Sequence, residues 1–219
     1  MAMSEDAAAA AETEQAPTAP RRGRVRLKRT VLMAVPAIAA GGVLMALTAQ
    51  GVLAAQFSIS GMPFTITADE LKGDGFAQFG ALDSMIPDSP NAGSTGGQVL
   101  VAVSAIRSAE ITNLCQSVDL GGVNLVIHAG DRGTPVTATN LTTDSDLLTG
   151  DSAEFTNIEI GGDASTYTKA GPVGKGNPGV FGQQADTVKI TKVNQHNYAS
   201  TAVGFKLPNL RLSFSSTGC

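Results

Sequence analysis

The residues able to carry chemistry in this sequence are few, and their spacing forms no familiar reaction centre. The two histidines are His128, which ends the apolar run NLVIHAG, and His196, within polar NQHNY. A serine hydrolase needs a nucleophile, a base and an orienting acid, and the nucleophile often sits in a G-x-S-x-G turn. That pattern is absent, and Ser94 has glycines at other spacings. We predict no catalytic residues, with His128 at a strand end and His196 in a solvated loop.

Acidic residues give a weak signal for calcium. Asp144-Ser-Asp146, followed by Asp151, begins like a calcium loop. The third ligand, the glycine of the sixth position and the closing glutamate of such a loop are missing. Carboxylates in turns explain the spacing equally well, so we predict neither a metal site nor a cofactor.

The chain has two cysteines, Cys115 in the phrase ITNLCQSVDL and Cys219 at residue 219. Cysteines outside the reducing cytoplasm normally pair. We predict a Cys115–Cys219 disulfide, with the last strand, ending at Phe214, beside the strand that ends at Leu114. The alternative is that Cys219 bonds to another molecule.

Strands must position these residues, because alternation of apolar and polar residues dominates from Gln56 onward. A period of two places one face of a strand on a core and the other in solvent. The only helical signal is a single turn in TADELKG, and glycine and proline predict long loops in PDSPNAGSTGG and AGPVGKGNPGVFGQQ. The alternating segments are 57–60, 64–67, 188–191, 205–207 and 210–214, and QVLVAVSAI (98–106) is apolar on both faces, as in a central strand.

A short phrase of the form apolar, Thr, Asn, apolar recurs at unequal spacing. It predicts strand ends at bends, with the asparagine bonding to local backbone. Unequal spacing suits a sandwich or an open barrel, and an irregular β-solenoid with a shared apolar seam is the alternative. Either way we predict one all-β domain over residues 56–219. The phrase occurs at 111–114, 138–141 and 155–158, and more loosely at 190–193 and 207–210.

The N-terminal segment predicts export. Residues 1–29 form a polar tail that ends in six basic residues, and residues 31–55 carry no charge. The 19 residues 31–49 make a helix of roughly 28 Å, close to the thickness of a membrane core of about 30 Å. Basic residues before such a helix stay in the cytoplasm. We predict a transmembrane anchor within residues 30–55; the alternative is a signal peptide cleaved after Ala54 or Ala55, which would release the domain.

The charge of the body argues against nucleic acid as a partner. From Gln56 onward there are 9 basic and 15 acidic residues, a net charge of −6. Nucleic-acid binding needs clustered lysine and arginine to neutralise phosphates. The sequence shows no basic stripe, so we predict that the domain does not bind nucleic acid.

After the Arg-rich anchor the chain contains the phrases ITADELKGDGFAQFG, AEITNLCQSV, GTPVTATNLTTD, FTNIEIGGDAS and GVFGQQADTVKI. Together with the anchor, these phrases resemble a family of exported actinobacterial proteins without an established function, some of which carry the label cholesterol esterase. The likeness begins at Arg21 and covers nearly all that follows, and it implies an exported, membrane-associated protein. We predict a non-catalytic cell-envelope protein that displays a β-domain for structural or interaction roles. The alternative is a binder of lipid or another apolar ligand; an esterase is the weakest candidate.

Overall fold

The computed structural model describes residues 58–219, and this part of the chain is all-β, as the sequence predicted. The predicted tail (1–29) and hydrophobic helix (30–55) lie outside the described residues. Within residues 58–219, no helix is long and apolar enough to cross a membrane. The strands are β1 (Phe64–Ser84), β2 (Gln98–Thr112), β3 (Leu114–Asp119), β4 (Asn124–Ala129), β5 (Val136–Thr149), β6 (Ser152–Thr156), β7 (Glu159–Asp163), β8 (Phe181–Thr201), β9 (Gly204–Lys206) and β10 (Arg211–Ser215), and two 3-10 turns span Ala164–Thr166 and Gly171–Gly174.

The four longest strands pair in a cycle that returns to its starting point. β1 pairs with β2, β2 with β5, β5 with β8, and β8 again with β1, always antiparallel. We call these four strands the ring. All ten strands form one sheet. A single antiparallel sheet differs from the two packed sheets of a sandwich and from the parallel rungs of a solenoid.

Shorter strands extend the ring at three places. β3 pairs with the start of β1, and β4 and then β10 follow outward from β3. β6 and β7 pair with β8, and β9 pairs with the beginning of β5. The last strand, β10, is therefore separated from β3 by β4, whereas the sequence had suggested direct pairing near Leu114.

The recurring phrase marks sites of left-handed backbone. The third residue of every copy has a positive φ, between 48° and 56°. Asparagine tolerates this conformation better than most residues, because its short polar side chain can hydrogen-bond nearby. Three copies lie between consecutive strands and two lie within long strands, where they bend the chain. The residues are Asn113, Asn140, Asn157, Lys192 and Asn209.

Where the side chains of these residues form hydrogen bonds, their partners are distant in the sequence. The prediction that they bond to local backbone is therefore wrong. Asn113 Nδ2 donates to Asp69 Oδ2 at 3.0 Å, and Lys192 Nζ contacts Asp69 Oδ1 at 2.7 Å. Asn209 Nδ2 donates to the carbonyl of Asp131 at 3.0 Å. Asp69 in β1 thus joins two bends that are 79 residues apart in the sequence. The bends therefore fix where distant strands meet.

Two apolar clusters form the core. The larger draws on all four ring strands, and Phe76, Ile106, Leu141 and Val188 are buried in it, so it fills the space that the ring encloses. The smaller lies under the segment between β7 and β8, where Tyr167 is fully buried and donates its hydroxyl to the carbonyl of Gly162 at 3.0 Å.

Two local predictions differ from the structure. TADELKG forms part of β1 and has no helical turn. The predicted loop over residues 170–184 ends early, because β8 begins at Phe181. The bend at Gly75 (φ +69°) requires glycine, since a Cβ there would lie 2.2 Å from the Lys169 carbonyl oxygen.

Candidate functional site

A pocket opens between the ring and the strands that extend it. Its enclosed volume is only about 20 Å³, a narrow crevice that admits groups the size of a water molecule. Apolar side chains form most of the wall, and none of the lining residues is ionisable. They are Ile66, Ala68, Leu71, Ile111, Leu114, Leu141, Val193 and Phe205, with the polar residues Gln116, Thr143, Gln195 and Ser200.

Amide side chains of β8 face the interior beside this pocket. Alternation along β8 places Gln195 and Asn197 on the same face as buried Val193. Gln195 is only 5% exposed, and its Nε2 donates one long bond to Thr143 Oγ1 at 3.4 Å. Asn197 is fully buried, and both its amide oxygen and its amide nitrogen lack a partner. A buried amide without partners costs free energy, but Asn197 does not line the pocket, so of these two amides only Gln195 can contact a group bound there.

An apolar face leads away from the pocket over β3, β4 and β10. The strand registers place Gln116, Ile127 and Leu212 in one row, and Val118, Leu125 and Phe214 in the next. Both rows lie on the same face as pocket residue Leu114. Exposure rises outward, from 2% at Leu114 to 59% at Leu212 and 66% at Phe214. We call the face formed by Val118, Leu125, Ile127, Leu212 and Phe214 the apolar extension.

The opposite face of β3 holds the cysteines. Cys115 and Cys219 are joined as a disulfide, with an S–S distance of 2.01 Å and a Cα–Cα distance of 5.9 Å. The chain after β10 passes β4 to reach β3, where the Cys219 amide donates to Ser117 Oγ at 2.9 Å. His128 lies in β4 directly opposite Cys115, with its Nε2 3.8 Å from the Cys115 sulfur. The disulfide ties the end of the sheet to its middle.

His196 is part of strand β8, and the expectation of a loop histidine is wrong. Its Nδ1 lies 2.6 Å from Asp146 Oδ1. Tyr198 hydrogen-bonds Asp146. Burial, followed by the contact with Asp146, raises the pKa of the Tyr198 hydroxyl. A histidine and an aspartate are two members of a hydrolase triad, but within residues 58–219 no serine or threonine hydroxyl and no cysteine thiol bonds to His196. Ser94 lies in the turn between β1 and β2.

The acidic residues of the calcium-like phrase have separate partners. Asp144 hydrogen-bonds Asp83, Asp146 contacts His196, and Asp151 lies in the turn after β5. Burial, then the Asp83 charge and hydrogen bond, raise the pKa of Asp144 to about 7. Burial also raises the pKa of Asp83. Within the described range, no three histidine, cysteine or acidic residues are placed to hold a metal ion.

Of the residues singled out in the sequence, the structure joins Cys115 to Cys219 and leaves His128, His196 and Ser94 apart. The pocket residue Gln195 and the buried Asn197 were missed, because their polar phrase resembles a solvent-exposed strand. Among known protein families, the model of DUF6230, a family of unknown function, matches residues 60–219. No curated protein and no solved structure matches the chain.

Proposed function

The chain belongs to the DUF6230 family, and we propose that its β-domain is a non-catalytic cell-envelope module that binds an elongated apolar ligand such as a lipid chain. The observation that carries the proposal is the continuity between the pocket and the apolar extension. Phe205 and Leu114 line the pocket, and the rows beginning at Gln116 and Val118 continue its wall outward. A ligand chain laid along them would cover apolar surface that is now open to water.

Export completes the proposal. The basic residues 21–29 followed by the charge-free residues 31–55 support a membrane anchor, or alternatively a signal cleaved near Ala54 or Ala55. Either would place the domain outside the cytoplasm. Retained anchoring through residues 31–49 would hold the domain at the membrane, where lipid is abundant. The resemblance to exported actinobacterial proteins agrees with this location.

A second candidate is an interaction role with another envelope protein. It is favoured by β10, which pairs with β4 on one side only among the described strands. A strand with a free edge can accept a strand from a partner. Here the exposed leucine and phenylalanine of β10 would contact protein side chains in place of lipid.

Photocrosslinking tests the choice between lipid and protein. The full-length chain in membranes of its host would be supplied with an alkyl lipid probe that carries a diazirine in its chain, irradiated, digested and analysed by mass spectrometry. We expect labelled peptides from β3, β10 and the segment around Phe205, and weaker labelling there after Leu212→Asn with Phe214→Asn. Labelling confined to residues 31–55 would contradict lipid binding by the domain. A crosslinked protein on β10 would support the interaction role.

A further inference from the structure

We infer that the ligand's polar end is a small uncharged hydroxyl that bonds to the Gln195 amide in the pocket wall, so that the ligand is a long-chain alcohol or another hydroxyl-bearing neutral lipid. This inference rests on the proposed function, because it assigns the chemistry of the same site. It goes further in separating neutral lipids from fatty acids and from cationic amphiphiles.

The absence of charge from the pocket wall is the first observation. No lysine, arginine or histidine lines the pocket, so nothing there would neutralise an ionised carboxylate or phosphate. No aspartate or glutamate lines it either, so a cationic head group lacks a counter-charge. An unpaired charge moved out of water into such a site is costly, whereas a neutral hydroxyl needs only hydrogen-bond partners. The wall therefore selects an uncharged group.

The Gln195 amide supplies the matching partner. An amide presents a donor NH₂ and an acceptor carbonyl, and a hydroxyl both donates and accepts. Gln195 lines the pocket and is 5% exposed, and its Nε2 makes one long bond of 3.4 Å to Thr143 Oγ1. A ligand hydroxyl that accepts from Gln195 Nε2 would give this amide a shorter hydrogen bond.

The shape of the site sets the size of the polar group. The enclosed crevice admits only groups about the size of a water molecule, and Phe205, which is 45% exposed, marks its solvent side. A hydroxyl fits this crevice, and a phosphate or sugar head group does not. The alkyl chain would leave through the mouth and lie on the apolar extension. The hydroxyl thus contacts the polar side chains of the crevice, and the alkyl chain contacts the apolar extension.

A head-group series on one chain length tests this assignment. The full-length protein, reconstituted in lipid discs, would be crosslinked with a diazirine-bearing dodecanol probe in competition with unlabelled dodecanol, dodecanoate, dodecyltrimethylammonium and dodecane. We expect dodecanol to compete at a concentration at least about tenfold lower than each of the others, since sites with buried polar partners strongly reject ligands lacking the matching group. Gln195→Leu should remove most of the preference for dodecanol over dodecane. Phe181→Leu is the control, because Phe181 is exposed and lies outside the pocket and the apolar extension, and it should keep this preference.

The outcomes separate the two proposals. If no compound competes and the probe does not label the domain, the proposed function fails. If all four compete equally, the domain binds apolar chains while its amides serve bound water, and the hydroxyl assignment alone is overturned. Preference for dodecanoate would likewise overturn it. A preference for dodecanol that survives Gln195→Leu would show that this amide does not bind the head group.

Discussion

Replacing Asp144 by asparagine should change how the stability of the domain depends on pH. Asp144 hydrogen-bonds Asp83, and burial followed by the Asp83 charge raises its pKa from 3.8 to about 7. In the unfolded chain the carboxyl group ionises near pH 4. Between pH 4 and 7 the folded protein therefore holds a proton that the unfolded chain releases. The contribution of Asp144 to the free energy of unfolding is therefore most favourable below pH 4, and it falls as the pH rises from 4 to 7.

The size of the effect follows from the two pKa values. One pKa unit corresponds to about 1.4 kcal/mol, so ionising Asp144 in the folded state at pH 8 costs at most about 4 kcal/mol. Partial exposure of the group reduces this figure, because water screens the charge. Asparagine has the same shape, donates a hydrogen bond to Asp83 and never ionises. We therefore expect Asp144→Asn to be about 1–4 kcal/mol more stable than the wild-type protein at pH 8 and about equal at pH 4.

Urea unfolding with the disulfide intact, followed at pH values from 4 to 8, measures the difference directly. The matched control is Asp74→Asn, an exposed carboxylate of β1, whose curve should run parallel to that of the wild type. Other carboxylates change the free energy of unfolding with pH in the opposite direction, but they do so equally in the wild type and both variants. For example, the Lys192 contact lowers the pKa of Asp69, so its contribution is lost on acidification below pH 4. Parallel curves for Asp144→Asn and wild type would refute the raised pKa of Asp144.

Four further outcomes are expected. Cys115→Ser should lower the melting temperature and remove up to about 4.7 kcal/mol, the chain-entropy value for a loop of this length; two free thiols in the native exported protein, or a reducible dimer abolished by Cys219→Ser, would contradict the internal bond. Asn113→Val should destabilise by about 1–2 kcal/mol more than Asn113→Gly, because both lose the Asp69 bond while only valine resists a positive φ; equal losses would show that the backbone is not the cause. N-terminal sequencing of the native protein should find residues 1–29 attached in the membrane fraction, and a start at Ala55 or Gln56 would replace the anchor by a cleaved signal. His128→Ala and His196→Ala should leave any ester hydrolysis unchanged, and loss of a measured activity in either would contradict the non-catalytic proposal.

The sequence was sufficient to predict the positions of strands whose two faces differ in polarity. The alternation in 64–67, 188–191 and 210–214 correctly predicted parts of β1, β8 and β10, because one face of each meets an apolar cluster or the apolar extension. The lengths of β1 and β8 were missed. Both strands are 21 residues long, and bends at Gly75 and Lys192 interrupt the alternation that would have joined their halves.

The pocket lay beyond prediction for a related reason. In VNQHNY, Gln195 and Asn197 alternate with His196 and Tyr198, and all four are polar or partly polar. A period of two then indicates no inner face. Only the contacts of β8 with β1 and β5 reveal that Gln195 and Asn197 point inward. The histidine was assigned to a loop on the same ambiguous signal.

The pairing of β1 with β8 requires β1 to wait during synthesis until β8 has been made. The partners of β1 in β8 lie between 103 residues later, for Phe79 and Gly182, and 133 residues later, for Phe64 and Asn197. At synthesis rates of about 5–20 residues per second, β1 waits roughly 5–25 s before its second neighbour emerges. Throughout that delay its edge is an open template for any other extended chain, and pairings so distant in sequence also form slowly. A chain that is exported during synthesis would therefore need a chaperone that covers the free edge of β1. Such a chaperone would act on the side of the membrane where β1 emerges.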